Sequence, residues 1–380
     1  MNDNLTPCPS PHSEGQTADG DLTPCPLSTV ARSARSGEGE TANGDLTPCP
    51  LSTSGEGETA NGERPFPLQY GMVCASLPHL QRTAEYGLQR AELVLISAEE
   101  APQVWEYLRE REIVVGLHSP GIRPEDFPFR PLLAALVDPD AERREQSLSL
   151  WETDLRRARE VGARYVVAHI QRPVALLGET LPDDFDERRS LQVGIEMAQR
   201  LAELSERYAV PVHIENSIAN PAFYRLESYM AMLQAAPALY VCLDIGHLFL
   251  DARKYGFDPV EFATEIAPHV AEFHVYGNTV DVEFDFVELR EQQRLKKHPP
   301  HPSQKVSEGW LDNEAILRTV LERQPDALVT FEVHYGMDVD REVTREGLEW
   351  IEKVCTEARG TSAEACSHHL WRHTAPCRSA

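Results

Sequence analysis

Residues 240–247 read Tyr240-Val241-Cys242-Leu243-Asp244-Ile245-Gly246-His247, a short apolar run that ends in an acid and a histidine. Five more stretches close an apolar run on His, Asp or Glu, at residues 113–118, 165–169, 210–215, 271–274 and 328–334. Burying a carboxylate or an imidazole beside apolar neighbours is costly unless something neutralises or coordinates it. Because the pattern recurs, we expect these side chains to converge on one bound ion, and a metal is the simplest candidate.

From residue 66 onward, strand-like and helix-like patterns alternate. The strands are short and almost continuously apolar, as buried parallel strands are, and the helices carry apolar residues every three to four positions. The predicted strands are Leu68–Ala75, Ala91–Ser97, Ile113–His118, Arg164–Ile170, Pro211–Asn216, Leu239–Asp244, Val270–Tyr276 and Ala327–Val333. The predicted helices are Leu80–Tyr86, Glu99–Arg111, Asp140–Val161, Phe185–Tyr208, Leu226–Ala235, Pro259–Ile266, Asn313–Glu322 and Arg341–Glu357.

This alternation predicts an α/β fold, a (β/α)8 TIM barrel over residues 66–357, because the count of strand–helix units and the length both fit that architecture. A doubly wound open sheet is the alternative. It usually has a Gly-rich turn after its first strand, and Ser76-Leu77-Pro78-His79 does not supply one.

The two ends of the chain have a different composition. Residues 1–65 are rich in Pro, Gly, Ser and Thr, and Leu-Thr-Pro-Cys-Pro occurs there at 5–9, 22–26 and 46–50. Such a segment lacks the apolar surface that offsets the entropy of ordering, so we expect a disordered low-complexity extension. Residues 358–380 are expected to form a disordered tail.

The net charge of −25 disfavours nucleic acid as a partner, since an acidic body repels polyphosphate. The sequence shows no signal peptide and no apolar run long enough to span a membrane. The eight cysteines form no Cys-x-x-Cys pair, which fits a reducing compartment. We therefore expect a cytoplasmic protein, and a homo-oligomer is compatible with the sequence.

Strand alternation predicts which side chains face the barrel interior, because residues two apart share a face. If Glu215 points inward, His213 does too, and if Glu332 points inward, Thr330 and His334 follow. The apolar residues between them then face the helices. The polar residues fall at the carboxyl ends of the strands, where barrel enzymes carry their chemistry.

Carboxylates combined with imidazoles suit Zn²⁺, Mn²⁺, Fe²⁺ or Co²⁺ better than Ca²⁺. We predict a metal site of four ligands from strands five to eight, with two further histidines beside it, so that one to three ions could bind and Glu215 could bridge two of them. The predicted metal ligands are Glu215, Asp244, His274, Glu332, His118 and His169. A single histidine at a strand end is more often a structural residue, but equivalent positions in successive repeats favour ligation.

Other polar residues near the same rim are predicted to contact substrate. His247 follows Asp244, and His213 and His334 lie one layer away from the ligand positions, where they would support the ligands or contact substrate. The segment after strand seven is basic, with Arg290, Arg294, Lys296 and Lys297. It predicts either a solvated helix face or a patch that holds an anionic substrate through Arg294 and Lys297.

The body resembles the xylose isomerase-like TIM barrel superfamily over about residues 66–357. The matching pieces are Leu117-His118-Ser119-Pro120, His169, Ile214-Glu215-Asn216, Leu243-Asp244-Ile245-Gly246-His247, Phe273-His274 and Phe331-Glu332. This superfamily includes sugar isomerases and epimerases and the endonuclease IV branch. The resemblance implies that Glu215, Asp244, His274 and Glu332 bind one divalent metal and that the two glutamates move a proton. In the endonuclease branch, His118 and His169 would join a multi-zinc cluster.

The chain also departs from the resemblance. The endonuclease branch has an Asp-x-His pair after the seventh strand, whereas residues 296–303 contain histidines but no acid. Many ketose epimerases carry an Arg shortly after the seventh-strand His, whereas Asn278-Thr279-Val280-Asp281 occurs here.

Three functions follow as hypotheses. The first is a metal-dependent isomerase or epimerase of a sugar or sugar phosphate, in which Glu215 and Glu332 are the catalytic acid and base. The alternative is a multi-zinc phosphodiesterase in which a metal-bound hydroxide attacks. The second alternative is a barrel that binds a ligand without turnover.

Overall fold

Hydrogen bonding between parallel strands runs around a complete circle. The strands are β1 (Tyr70–Cys74), β2 (Arg90–Leu93), β3 (Val114–His118), β4 (Val166–His169), β5 (Val212–Glu215), β6 (Leu239–Asp244), β7 (Val270–Val275) and β8 (Leu328–Phe331). Each strand pairs with the next, and β8 returns to β1 with Tyr70 opposite Val329. The fold is therefore the predicted (β/α)8 barrel, and the open doubly wound sheet is excluded.

The structure is a computed structural model that describes residues 66–128, 137–138, 140–169, 186–216, 218, 220–278, 297–333 and 341–362, without the side chains of the last two. The predictions for residues 1–65 and for the chain after residue 362 lie outside these ranges. So do those for His334, Arg294, Arg290 and Lys296.

Helices connect the strands and cover the outside of the barrel. They are α1 (Leu77–Glu85), α2 (Ala101–Glu110), α3 (Ala141–Val161), α4 (Glu187–Tyr208), α5 (Leu226–Ala235), α6 (Ile245–Tyr255), α7 (Pro259–Ile266), α8 (Asn313–Leu321) and α9 (Arg341–Ser362). Several begin at an aspartate whose carboxylate accepts backbone N–H groups of the first turn, as Asp140 and Asp186 do for α3 and α4. Gly162, at φ 72°, ends α3 in the left-handed conformation that glycine favours.

Three helices differ from the sequence prediction by three residues or more, and the first is α1, which begins at Leu77 rather than at Leu80. Helix α6 was not predicted, because it begins directly after β6 and its apolar residues continue the apolar pattern of the strand. Helix α9 runs to Ser362, past the predicted end at Glu357. Its buried side chains continue at helical spacing through Val354 and Ala358, so packing against the barrel extends the helix.

The two faces of the strands separate as alternation predicts. The residues that face the helices join one large buried cluster, which includes Val212, Ile214, Val241, Leu243, Val329 and Phe331. Inside the barrel, a separate small cluster contains Tyr165, Val167 and Cys242. Leu328 packs against this cluster, and the ionisable side chains of Arg90 and Glu272 contact Tyr165.

Glu272 lies at the centre of a buried polar layer inside the barrel. Its carboxylate accepts hydrogen bonds from Tyr165 Oη at 2.7 Å and from Thr330, and it pairs with Arg90 Nη1 at 3.0 Å. His213 Nδ1 lies 2.9 Å from the second oxygen. Burial raises the pKa of Glu272, but His213 and Arg90 outweigh it and lower the pKa well below the usual value. The negative charge of Glu272 is therefore compensated by residues of the chain itself.

Two glycines make room for this layer. A Cβ at Gly71 would lie 2.8 Å from the Arg90 guanidinium, and a Cβ at Gly116 would lie 2.3 Å from the Tyr165 ring. Both glycines are strand residues, where a side chain would normally be favoured. The bulky side chains of Arg90 and Tyr165 therefore explain why positions 71 and 116 are glycines.

A membrane-spanning helix does not occur among the residues that the structure describes, since none there is both long and apolar enough.

Gly116→Ala should lower the free energy of unfolding by about 1–3 kcal/mol, because the new methyl group overlaps the buried Tyr165 ring. Equilibrium urea unfolding measures the change. Gly360→Ala is the matched control: nothing lies within 4 Å of a Cβ there, so this helical substitution should be neutral or stabilise by up to about 1 kcal/mol. Wild-type stability of Gly116→Ala would contradict the assigned packing.

Candidate metal centre

Four predicted ligands come together at the carboxyl ends of neighbouring strands. Glu215, Asp244 and His274 end or nearly end β5, β6 and β7, and Glu332 directly follows β8. One ligand atom from each lies within 4.8 Å of the others. Parallel pairing produces this convergence, because it places Asp244 directly opposite His274 and ends every strand on the same rim.

The separations within this group fit one cation. His274 Nδ1 lies 3.6 Å from Glu215 Oε1 and 3.5 Å from Glu332 Oε2, and it makes no hydrogen bond with any described residue. Two ligands at about 2.1 Å from a tetrahedral metal lie about 3.4 Å apart. His274 Nδ1 is therefore spaced from each glutamate oxygen as two ligands of a shared ion would be, rather than as a hydrogen-bonded partner.

A second group shares Glu215. His118 Nε2 and His169 Nε2 lie 2.9 and 3.0 Å from Glu215 Oε2, the oxygen that faces away from His274. These three residues also form a group whose ligand atoms lie within 4.8 Å of one another. The two oxygens of Glu215 thus face two separate sets of imidazoles, one at hydrogen-bond distance and one at the spacing of ligands that share an ion.

The ionisation of the two glutamates follows from their neighbours. Burial raises the pKa of Glu215, but His169, His274 and His118 outweigh it, so the pKa falls well below the usual value. Burial also opposes ionisation of Glu332, yet Lys297 and His274 bring its pKa to about 2. Both side chains are therefore carboxylates at neutral pH, which is the form that binds a cation.

One carboxylate oxygen of Asp244 accepts a backbone hydrogen bond. Its Oδ1 accepts the backbone N–H of His247 at 2.7 Å and caps α6, which leaves Oδ2 directed at the site. Asn216 fixes the two strand ends: its side chain accepts from Asp244 N at 2.7 Å and donates to Asp244 O at 2.9 Å. His247 Nδ1 donates to Asn216 O at 2.8 Å, so the orientation of this imidazole is also fixed.

Glu92 on β2 belongs to this site, and the sequence analysis missed it. Its Oε1 lies 3.0 Å from His274 Nε2, and both side chains are fully buried. Because Nε2 faces Glu92, Nδ1 of the same ring faces Glu215 and Glu332. Glu92 lies inside its strand rather than at the end, and the repeated strand-end pattern therefore did not reveal it.

Lys297 also reaches into the group. Its ammonium pairs with Glu332 Oε2, lies 3.7 Å from Asp244 Oδ2 and lies 4.3 Å from the centre of the Tyr276 ring. Sequence analysis predicted that this lysine contacts an anionic substrate. In the structure it contacts two of the predicted metal ligands.

The end of β3 is held by a buried acid. Asp154 of α3 accepts a hydrogen bond from Ser119 Oγ at 2.7 Å and pairs with Arg157 at 3.1 Å. Ser119 directly follows His118, so these contacts position the loop that carries the imidazole. Burial outweighs the effects of Ser119 and Arg157 and raises the pKa of Asp154 to about 6.

His213 lies one layer below the predicted ligands, as strand alternation predicts. His213 faces the interior, as alternation requires, but its contacts are Glu272 and the stacked ring of Tyr165, with ring centres 4.5 Å apart. It is nearly fully buried in the lower layer. This position favours support of the interior over contact with a substrate.

Comparison with known proteins gives a family and several similar folds. The profile of the "Xylose isomerase-like TIM barrel" family matches residues 80–354. Among solved structures, a D-tagatose 3-epimerase-like protein is 15% identical, with a TM-score of 0.55, over 77% of this chain and 99% of its own. An L-ribulose 3-epimerase is 12% identical, with a TM-score of 0.56, over 79% and 99%.

A third structure, of the IolI protein with a bound zinc atom, is 13% identical, with a TM-score of 0.53, over 77% of this chain and 98% of its own. At these identities, the likeness shows the shared fold. No curated protein sequence matches the chain significantly.

Raising the pH from about 4 to about 7 should destabilise the wild type relative to Asp154→Asn. The pKa of Asp154 is about 6 in the folded protein, whereas the pKa of an aspartate in the unfolded chain is about 3.9. Between these two pH values the folded protein holds the proton and the unfolded chain does not. The free energy of unfolding contributed by this group therefore falls as the pH rises, by up to about 3 kcal/mol. Urea unfolding of both proteins at several pH values measures the difference, and a pH-independent difference would contradict the assignment.

Proposed function

This chain belongs to the xylose isomerase-like TIM barrel family, and we propose that it is a divalent-metal-dependent isomerase or epimerase of a sugar or sugar phosphate. The group of Glu215, Asp244, His274 and Glu332 carries the proposal, because its ligand atoms lie within 4.8 Å at the carboxyl end of the barrel. The names of two similar structures, a D-tagatose 3-epimerase-like protein and an L-ribulose 3-epimerase, support the same class of reaction.

The charge of the site supports a metal. Glu92, Glu215, Asp244 and Glu332 are all largely buried around His274, and of the described lysines and arginines Lys297 is the one that pairs with this group. Uncompensated buried carboxylates are strongly unfavourable. The mixed nitrogen and oxygen ligands suit Zn²⁺, Mn²⁺, Fe²⁺ or Co²⁺, and the zinc bound to the IolI protein is consistent with this choice.

When bound, the ion would polarise the carbonyl and hydroxyl oxygens of the sugar. The proton adjacent to the carbonyl is then acidic enough for a carboxylate to remove it. Glu215 Oε1 and Glu332 Oε2 lie 3.6 and 3.5 Å from the same atom, His274 Nδ1. We assign one of them to remove the proton and the other to return it, so that the configuration at that carbon can invert or the carbonyl can move.

His247 is assigned to orient a sugar hydroxyl. Its Nδ1 donates to the backbone oxygen of Asn216 at 2.8 Å, and this bond fixes the orientation of the ring and of Nε2. A ring nitrogen with a fixed direction can select one hydroxyl of a polyol. Arg294 and Lys297 remain candidates to hold a phosphate group of the substrate.

The histidine pair His118 and His169 favours a second candidate function. With Glu215 they form a second ligand group, and Glu215 could then bridge two ions. Two bridged metals are common in hydrolysis of phosphodiesters. Release of p-nitrophenol from bis(p-nitrophenyl) phosphate would support this function. We prefer the isomerase or epimerase, because two of the similar structures are named as a D-tagatose 3-epimerase-like protein and an L-ribulose 3-epimerase.

Glu215→Gln and Glu332→Gln should each lower turnover by about 10²–10⁴-fold, because an amide cannot accept the proton. The assay is incorporation of deuterium from solvent into a panel of ketoses, aldoses and their phosphates, followed by mass spectrometry. Binding of the sugar should stay measurable in both variants. Glu346→Gln is the control, since Glu346 pairs with His301 at the surface. Full activity in either site variant would end the proposal.

Glu92→Gln should weaken metal binding by about 10–100-fold, since Glu92 holds the His274 ring in the orientation that directs Nδ1 at the site. Loss of the free Mn²⁺ signal in electron paramagnetic resonance measures the affinity. Glu346→Gln again serves as the control, and thermal unfolding of both variants tests whether they remain folded. Wild-type affinity in a folded Glu92→Gln protein would show that this contact does not orient the ligand.

A further inference from the structure

Lys297 contacts the same atoms that a metal ion would need. Its ammonium pairs with Glu332 Oε2 and lies 3.7 Å from Asp244 Oδ2. Glu332 Oε2 is the oxygen that faces His274 Nδ1 at 3.5 Å. Asp244 Oδ2 is the one oxygen of that carboxylate not used to cap α6. The ammonium and the ligand set therefore share two oxygens.

A divalent ion at these oxygens would lie close to the ammonium and repel it. Repulsion is strong here because Asp244 and His274 are fully buried and Lys297 and Glu332 largely so. The arrangement in which Lys297 holds the two carboxylates and the one in which an ion holds them thus exclude each other.

The backbone beside Lys297 is anchored, so the side chain alone would have to move. Gly277 N donates to His298 O at 2.7 Å, and His298 N donates to Gly277 O at 2.9 Å. Lysine has a long flexible side chain that can rotate without moving its backbone. The Tyr276 ring, 4.3 Å from the ammonium, adds a second contact that favours the inward position.

We propose that Lys297 is a built-in competitor of the metal ion: its ammonium occupies the Asp244–Glu332 side of the centre and must leave for the ion to bind. The ion then binds with reduced apparent affinity, because the site is open for only a fraction of the time. This inference rests on the proposed metal-dependent function. It adds that the ion binds more weakly than the ligand set alone would allow.

Lys297→Met should bind Mn²⁺ about 10-fold or more tighter than the wild type, because methionine keeps an unbranched side chain but lacks the charge. Mn²⁺ is the probe, since it favours carboxylates and binds weakly to the thiols elsewhere in the full chain. Titration followed by electron paramagnetic resonance gives the affinity and the number of ions bound. Lys353→Met is the matched control, because Lys353 also lies near a glutamate, Glu357, but at an exposed position on α9.

A second measurement separates displacement from general repulsion. The wild-type protein is acetylated with an amine-reactive ester, with and without Mn²⁺, and the peptides are quantified by mass spectrometry. If the ion displaces the ammonium, modification of Lys297 should increase several-fold on addition of Mn²⁺, whereas that of Lys353 should stay constant.

The outcomes distinguish the two proposals. Wild-type or weaker Mn²⁺ affinity in Lys297→Met, or modification of Lys297 that does not increase with Mn²⁺, overturns the competitor role but leaves a metal-binding wild type intact. Absence of Mn²⁺ binding in the wild type and in Lys297→Met overturns both the competitor role and the proposed metal-dependent function.

Discussion

The buried carboxylate of Glu215 belongs to both groups of candidate metal ligands. One oxygen lies 2.9 and 3.0 Å from the imidazoles of His118 and His169, and the other faces His274 at 3.6 Å. A fully buried carboxylate is stable only when its neighbours compensate its charge. The closure of the barrel makes this possible, because it brings β3, β4 and β7 to the end of β5 from both sides.

The barrel interior is divided into two layers with different charge. In the lower layer, Arg90 pairs with Glu272, and that acid is fully satisfied by residues of the chain. In the upper layer, several carboxylates surround His274, while Lys297 supplies a single ammonium. This difference is why we propose cation binding for the upper layer, while the lower layer stabilises the fold. The ammonium of Lys297 lies next to Asp244 and Glu332, so its charge partly compensates these carboxylates, as the charge of an ion would.

The sequence predicted the strand ends well and the intervening structure less well. Glu215, Asp244, His274 and Glu332 were predicted from apolar runs that end in a ligand residue, and the structure brings them together. Helix α6 was missed because Asp244 ends a strand and caps a helix at once, with no turn residues between. Glu92 was missed because it lies inside β2, and only the folded barrel shows that it reaches His274.

The sequence by itself determined the (β/α)8 fold and named the residues that we propose as ligands, because hydrophobic periodicity and residue type are local properties. The tertiary structure alone decided which atoms meet. It directed His274 Nδ1 at the site and Nε2 at Glu92, gave the two oxygens of Glu215 to different imidazoles, paired His213 with Glu272 and brought Lys297 onto Glu332. These contacts join residues far apart in the chain, so their geometry exists only after the barrel has closed.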